Sequence, residues 1–293
     1  MKVLITGIGF MGGFDLVLSL KKNGFEVIGA DINKNSAAKF YCDEYYLVPE
    51  GNIENQYYFP RLVDILKKEK PDILLPASVA DLNQLTFYKE HLERYTKLMI
   101  GDVGPVKTAL DKGLTYDALQ GEKFVPKAFY SEKGLVLKPM VGKGARGIQY
   151  LNDNHFVMEK LEGADIDVDV IAMGGEVLLA QCKTRERAYG GTMVEGQIIE
   201  SPKLVELVKT IIKKIPIDYL SVIQFKGTKL LEVNPRMAGA IIDQNVPLMA
   251  INLALNKITK DDIRNYKQPI GKRIARTMFN YEYQTSGDIF YSW

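Results

Sequence analysis

Short apolar runs separated by amphipathic segments dominate the first hundred residues. The segment after each run places apolar residues three and four positions apart, which is the helical spacing. The predicted strands cover 2–6, 26–30, 73–75 and 97–100, and the predicted helices cover 14–23, 61–69 and 82–94. Apolar strands that alternate with helices are typical of a parallel sheet covered on both faces. We therefore predict a small α/β domain that ends at a Gly/Pro-marked hinge, residues 101–105.

The pattern changes after this hinge, from alternating strands and helices to runs of neighbouring strands. A helix over 106–119 precedes the predicted strands 124–130, 134–138, 148–151, 156–160, 165–170, 177–180, 220–225 and 230–234. Two further helices, 202–214 and 248–255, carry apolar residues on a core face. The second part of the chain is therefore predicted to be α+β. Residues 274–293 contain several aromatics and no motif that we can assign.

The composition of the chain disfavours some classes of function but does not identify one. The chain has 38 Lys+Arg against 36 Asp+Glu, a net charge of +2, so bulk charge does not favour nucleic acid as a partner. No apolar run approaches the roughly 20 residues of a membrane span, and the N-terminus lacks a signal-peptide pattern. We expect a cytoplasmic protein. Cys42 and Cys182 fit neither a disulfide framework nor a zinc spacing.

Three polar residues interrupt the predicted strand 230–234 and its extension. Glu232, Asn234 and Arg236 share one parity, and alternate side chains of a strand point to the same face. A carboxylate, an amide oxygen and a guanidinium together suit Mg²⁺ bound to phosphate. The alternative at this point is an edge strand with a solvated polar face.

A glycine-rich segment separates two predicted strands of the second part. Gly142, Gly144 and Gly147 recur here with Arg146, and Lys138 precedes them at the end of an apolar strand. A lysine in that position is costly unless it meets an anion or solvent. The segment predicts a hairpin whose backbone amides cover phosphates, with a plain hairpin turn as the alternative.

Charged residues also repeat with strand periodicity further along the chain. Asp165, Asp167 and Asp169 share one face of a predicted strand. Like charges on one face repel each other unless water, a cation or a ligand hydroxyl interacts with them. Arg185 and Arg187 end the following strand. They are candidates for holding a carboxylate, and surface salt bridges are the alternative.

The first strand is followed by a G-x-G-x-x-G pattern, residues 7–12, and the next strand ends at Asp31. By pattern this fits a dinucleotide fingerprint, in which amides at a helix start cradle a pyrophosphate. A tight strand-to-helix turn also favours glycine. A dehydrogenase that uses this loop is therefore an alternative function.

The order of these features resembles the ATP-grasp superfamily. The chain is most similar to its carbamoyl-phosphate-synthetase-like and pyrrolysine-biosynthesis-ligase-like branch, over roughly residues 104–255. The motifs that carry the resemblance are Asp111-Lys112, Lys138-Pro139 with the glycine loop, Glu159 to Asp169, Gln224, and Glu232-x-Asn234-x-Arg236. It implies a Rossmann-like domain over 1–104 and a two-lobed ATP-grasp domain, divided into a small lobe over 105–160 and a large lobe over 161–293.

The resemblance implies ATP as the nucleotide and assigns its contacts. Lys112 and Lys138 would contact the phosphates, with Lys138 also near adenine, and the loop over 142–147 would close over them. The hinge that reads adenine would be formed by Glu159, Lys160 and Leu161. Asp165 and Asp169 would hold the ribose hydroxyls.

The resemblance also implies a metal site and the catalytic groups. Gln224, Glu232 and Asn234 would bind Mg²⁺, with Mn²⁺ left open. Many relatives carry an acidic residue where this chain has Gln224, so the number of metal ions is not defined. Arg236 would face the transferred phosphoryl group, and the catalytic set would be Arg236, Lys138 and Arg185.

The implied reaction is an ATP-dependent joining of a small carboxylate to an amine, through an acyl phosphate and with release of ADP and phosphate. We expect amino-acid-like substrates, neither nucleic-acid nor membrane partners, and leave a homodimer open. In the superfamily the leading domain keeps its Rossmann-like shape without binding a dinucleotide, which disfavours the dehydrogenase. A non-catalytic ATP-binding protein is the other alternative.

Overall fold

The structure is a computed structural model of the 293-residue chain. It describes residues 1–52, 54–130, 135–137, 149–151, 156–189, 192–237, 239–276, 281–283 and 289–292. None of the helices in these ranges is long and apolar enough to cross a membrane.

A five-stranded parallel sheet forms the first domain, in the order β3-β2-β1-β4-β5. Its strands are β1 (Lys2–Thr6), β2 (Glu26–Asp31), β3 (Glu44–Leu47), β4 (Ile73–Pro76) and β5 (Lys97–Leu98). Its helices are α1 (Met11–Lys22), a 3-10 helix (Ala37–Tyr41), α2 (Tyr58–Glu69), α3 (Val79–Phe87) and α4 (Lys89–Leu92). The central strands are buried on both faces, as expected from their apolar sequences. The predicted Rossmann-like domain is confirmed.

Two predicted helices are each divided in the structure. The segment predicted as one helix over 82–94 forms α3 and α4, and the one over 106–119 forms α5 (Val103–Leu110) and α6 (Lys112–Ala118). Asp111 causes the second division, because its backbone is extended and its carboxylate accepts a hydrogen bond from the Leu114 amide at 3.0 Å. This is an N-cap, which starts a new helix. Lys112 is therefore the first residue of α6.

Two pairs of short strands follow. The first pair is β6 (Ala128–Tyr130) with β9 (Phe156–Met158), and the second is β7 (Leu135–Leu137) with β8 (Gln149–Leu151). In the second pair Leu137 lies opposite Gln149, so the strands that flank the glycine loop form the predicted antiparallel hairpin. Lys138, Gly142, Gly144, Arg146 and Gly147 lie outside the described residues.

A six-stranded antiparallel sheet forms the large lobe, in the order β14-β13-β10-β11-β12-β15. Its strands are β10 (Asp165–Met173), β11 (Glu176–Tyr189), β12 (Thr192–Ile199), β13 (Tyr219–Lys226), β14 (Lys229–Asn234) and β15 (Arg273–Ala275). Its helices are α7 (Pro202–Lys214), α8 (Asn245–Ala254) and α9 (Lys260–Arg264), and a last pair is β16 (Tyr281–Tyr283) with β17 (Ile289–Ser292). Helix α7 has the predicted bounds and packs its apolar face into the core of this sheet.

The first domain packs directly against the large lobe. Leu16 and Leu20 of α1 share one hydrophobic core with Ile241 and Ile251. The backbones approach closely at Gly12, where a Cβ atom would lie 3.1 Å from the carbonyl oxygen of Gly239. This contact brings the glycine loop of the first domain beside the end of β14.

Candidate functional site

The polar face of β14 lines a cavity of about 200 Å³ at the junction with the first domain. Glu232, Asn234 and Arg236 all face it, which confirms that these side chains project together. Gln224 lies directly opposite Glu232 on the neighbouring strand β13 and also lines the cavity. The antiparallel register of β13 and β14 therefore brings the predicted metal-binding residues to one place.

Glu232 is held between two nitrogen donors. Lys112 Nζ lies 2.9 Å from one carboxylate oxygen, and Asn234 Nδ2 donates to the other at 3.0 Å. Burial by itself raises the pKa of Glu232, but the hydrogen bonds from Asn234 and Lys112 outweigh it and the pKa is lowered. The carboxylate is therefore ionised at neutral pH. Lys112 of α6 is next to this cavity residue, and its contact with phosphate stays a prediction.

These groups fit a divalent cation that also binds phosphate. Because Asn234 directs its amide nitrogen to Glu232, its oxygen is the atom left for a cation. Mg²⁺ in such sites takes one or two carboxylates and completes its coordination with phosphate and water. Within the described ranges, no three acidic, His or Cys side chains gather at a metal-binding distance. Most of the negative charge around the cation would therefore come from Glu232 and the nucleotide.

Arg236 is held by both domains. Its Nη1 donates to the carbonyl oxygen of Met237 at 2.9 Å, and its guanidinium carbon lies 5.7 Å from the centre of the Phe10 ring. Burial lowers the pKa of Arg236, and the carboxylates of Glu232 and Asp81 oppose that shift. Sequence reasoning missed Phe10. Its signal is an aromatic residue inside a glycine turn, where packing alone does not require one.

Only one of the two candidate arginines of β11 faces the cavity. Arg185 lines it and donates from Nη1 to Gln224 Oε1 at 3.3 Å. Arg187 is exposed and pairs with Glu195 at 2.6 Å. In a regular strand both would share a face, but the pairing of β11 with β12 shifts register between them. The prediction that Arg187 holds a substrate carboxylate is therefore dropped.

The acidic face of β10 is balanced largely by the protein's own cations. Asp165 pairs with Lys226 at 2.9 Å, and Asp169 pairs with Lys183 at 2.6 Å. Asp169 and Lys183 are both fully buried. A carboxylate enclosed in such a pair is not accessible to a ribose hydroxyl, so the role predicted for Asp169 is wrong. Asp165 is half-buried, and its ribose role stays a prediction.

Asp167 is a site residue that sequence reasoning did not select. Its side chain is 1% exposed and lines the cavity, and Oδ1 has no hydrogen-bond partner within the described part of the chain. The nearest cation to that oxygen is Arg185, at 3.7 Å. Burial raises the pKa of Asp167, while Lys183 and Arg185 lower it. The sequence could have identified Asp167, because it lies on the same face of the strand as Asp165 and Asp169.

The predicted adenine hinge begins directly after β9. Glu159 Oε1 accepts a hydrogen bond from the Lys127 amide at 3.1 Å, and the Glu159 amide donates to the Lys127 carbonyl at 2.9 Å. These bonds fasten the segment to the strand beside it. Lys160 is exposed and Leu161 is half-buried, so both have backbone and side chain near solvent. The hinge role stays a prediction.

The glycine loop of the first domain uses its aspartate for its own structure. Asp31 accepts from the amides of Gly9 at 2.6 Å and Asn33 at 2.9 Å, one on each oxygen. In a dinucleotide site the residue in this position binds the ribose. The loop instead lines a second cavity of about 300 Å³, together with Asp81, and Phe10 forms a wall of both cavities.

Asp81 of this second cavity gives a testable pH dependence. It is 5% exposed, and burial raises its pKa from the ordinary 3.8 to about 6. The ionised form therefore destabilises the fold, an effect that is absent below pH 4 and complete above pH 6. We expect Asp81→Asn to stabilise the protein by about 1–3 kcal/mol at pH 8 and by nothing at pH 4, measured by urea unfolding. Asp64→Asn, on the exposed face of α2, is the control. A benefit that is equal at both pH values would contradict the burial argument.

Comparison with known proteins agrees with this geometry. A family model described as ATP-grasp in the biosynthetic pathway with Ter operon matches residues 152–275. A second model, the N-terminal domain of PylC-like proteins, matches residues 3–100. Residues 152–275 therefore form an ATP-grasp domain, and residues 3–100 form a PylC-like N-terminal domain. The predicted class, an ATP-grasp ligase with a parallel-sheet domain in front, is thereby confirmed at the level of the family.

Solved structures of ATP-grasp enzymes share the fold. Biotin carboxylase from Campylobacter jejuni is 15% identical with a TM-score of 0.60, covering 92% of this chain and 72% of that one. Phosphoribosylglycinamide synthetase from Anaerococcus prevotii is 14% identical with a TM-score of 0.63, covering 93% and 79%. The biotin carboxylase domain dimer of Hydrogenobacter thermophilus 2-oxoglutarate carboxylase, solved with MgADP and bicarbonate, is 15% identical with a TM-score of 0.62, covering 96% and 78%. No curated protein matches the sequence. At these identities the structural likeness establishes the fold alone.

Proposed function

We propose that this ATP-grasp protein joins a small, amino-acid-like carboxylate to an amine through an acyl phosphate, releasing ADP and phosphate. The observation that carries the proposal is the convergence of Glu232, Asn234 and Arg236 on one cavity that Arg185 also lines. The Glu232 carboxylate suits a cation that binds phosphate, and the guanidinium groups suit anions. No protein nucleophile is required, because the substrate carboxylate attacks the γ-phosphorus.

The resemblance to ATP-grasp proteins supports the roles of the nucleotide-binding residues. Lys112, which pairs with the cavity residue Glu232, and Lys138, which lies outside the described residues, contact the phosphates. The hinge at Glu159–Leu161 binds adenine, and Asp165 binds the ribose. Glu232 and Asn234 would hold Mg²⁺, which would supply charge neutralisation at the phosphates. Mn²⁺ fits the same oxygen ligands.

Arg236 and Arg185 act on the reacting groups. In the first step a carboxylate oxygen bonds to the γ-phosphorus and the bond to the ADP oxygen breaks. The amine nitrogen then bonds to the acyl carbon, inorganic phosphate leaves with the bonding electrons, and the nitrogen loses a proton. Arg236, held by Met237 and Phe10, is placed to stabilise the transferring phosphoryl group, since fixed charges accelerate phosphoryl transfer. Arg185 holds the substrate carboxylate.

Nucleotide-dependent stabilisation tests the proposal against a dehydrogenase. We expect saturating Mg-ATP to raise the melting temperature by several degrees, since a ligand that binds only the folded state stabilises it by mass action. NAD(H) and NADP(H) at equal concentration should leave it unchanged, because Asp31 is bonded to the loop amides. Stabilisation by NAD(P) without any by Mg-ATP would refute the ligase.

A second measurement separates the ligase from a non-catalytic ATP-binding protein. Phosphate release is screened over pairs of small carboxylates and amines, with each compound alone as the control. Release that requires both members of a pair supports ligation. Tight ATP binding with no release for any pair would favour a binding protein.

A further inference from the structure

Two side chains hold Arg185 inside the cavity. One is Gln224, which the resemblance assigned to the metal, and the other is Asp167, to which it assigned no role. Its Nη1 donates to Gln224 Oε1 at 3.3 Å and lies 3.7 Å from Asp167 Oδ1. Both partners come from strands adjacent in the sheet, since Asp167 lies opposite Gln224. The guanidinium thus lies beside the amide oxygen that had been expected to bind metal.

The charges of the cavity wall are divided between two ends. At one end Glu232 is bonded by Lys112 and Asn234. At the other, the buried carboxylate of Asp167 faces Arg185, and the residue between the two ends is the neutral Gln224. Two-metal phosphoryl-transfer sites place cations roughly 4 Å apart and need carboxylates to hold both. Here the Arg185 guanidinium lies 3.3 Å from Gln224 and 3.7 Å from Asp167, so a second cation beside these two residues would be repelled by a fixed positive charge.

We propose that Arg185 is a built-in substitute for a second divalent cation, so that the nucleotide-loaded site binds a single metal ion. The inference rests on the proposed function, because it presumes nucleotide in this cavity. Asp167 and Gln224 are then positioning residues for Arg185, and Glu232 with Asn234 forms the one cation site. A fixed guanidinium near the reacting oxygens has the effect of an arginine finger supplied in cis.

The closing experiment counts metal ions on the full chain. Mn²⁺ is titrated in the presence of a non-hydrolysable ATP analogue, and bound Mn²⁺ is measured by electron paramagnetic resonance, which also reveals coupling between two neighbouring ions. We expect one Mn²⁺ per chain for the wild type. The double variant R185Q/Q224E removes the guanidinium and adds a carboxylate, so we expect two coupled ions. R187Q, which alters the exposed arginine of the same strand, is the matched control and should bind one.

Each other outcome is decisive. Two ions on the wild type would overturn the inference and leave the proposed function standing. One ion on both the wild type and R185Q/Q224E would show that Arg185 does not exclude the second. A wild type that binds neither analogue nor Mn²⁺ would overturn the inference together with the proposed function. The wild-type count needs no variant, so the test holds even if the double variant does not fold.

Discussion

Glu232→Gln is expected to lower ADP formation at least about a thousandfold while leaving the fold intact, because under the proposed function it removes the carboxylate that holds Mg²⁺ beside the phosphates. The change keeps the shape of the side chain and its contact with Asn234. It also leaves Lys112, 2.9 Å away, without its charged partner. Steady-state ADP release at saturating substrates measures the loss, and circular dichroism checks the fold.

A surface glutamate of the same lobe provides the comparison. Glu206→Gln on α7 disrupts only an exposed pair with Lys209 and should retain wild-type turnover. Turnover within about tenfold of the wild type in Glu232→Gln would remove this residue from the reaction centre, since losses from single electrostatic groups there are commonly 10²–10³.

Lys183→Met is expected to destabilise the protein by about 3–5 kcal/mol, because it leaves a buried carboxylate without its counter-charge. Lys183 and Asp169 are 2.6 Å apart with side-chain exposures of 0% and 1%. Lys183 also donates to the carbonyl oxygen of Ala240 at 2.8 Å, so the variant loses an anchor of the segment after β14. Urea unfolding at pH 7 measures the change.

Replacing both members of the pair distinguishes charge from packing. In Lys183→Met with Asp169→Leu, no unpaired charge is left, and buried pairs replaced by apolar groups are often neutral in stability. We expect the double variant to recover most of the loss, with about 1–3 kcal/mol remaining for the Ala240 carbonyl. Lys209→Met, which breaks an exposed pair, should cost less than about 1 kcal/mol. A Lys183→Met variant as stable as Lys209→Met would show that the buried pair contributes nothing.

The order of elements was predictable because the two parts of the chain differ in their hydrophobic period. Wholly apolar strands followed by helical spacing identify a parallel sheet, and the face of 202–214 gave α7 its bounds. The break at Asp111 was not predictable from apolar spacing alone, since 106–119 continues the helical pattern across it. A capping side chain decided it.

The site was predictable where its residues share one strand and not where they meet across strands. The parity of Glu232, Asn234 and Arg236 requires only the geometry of β14. Register alone does not decide which cation each aspartate of β10 meets, because Lys183 lies opposite Asp167 but bonds to Asp169. That choice depends on how the side chains pack in the folded sheet. The contribution of Phe10 depends on the packing of the two domains and has no periodic signal.

The close approach of Gly12 to Gly239 constrains how this protein can be recombined. Asp15 accepts from the Ile241 amide at 3.2 Å and pairs with Arg276, so both ends of the contact are tied. A chimera that imports the first hundred residues of a relative must import the matching 239–241 segment and Arg276 as well. We therefore expect the leading domain to be exchangeable only together with this part of the large lobe, and not as an independent module.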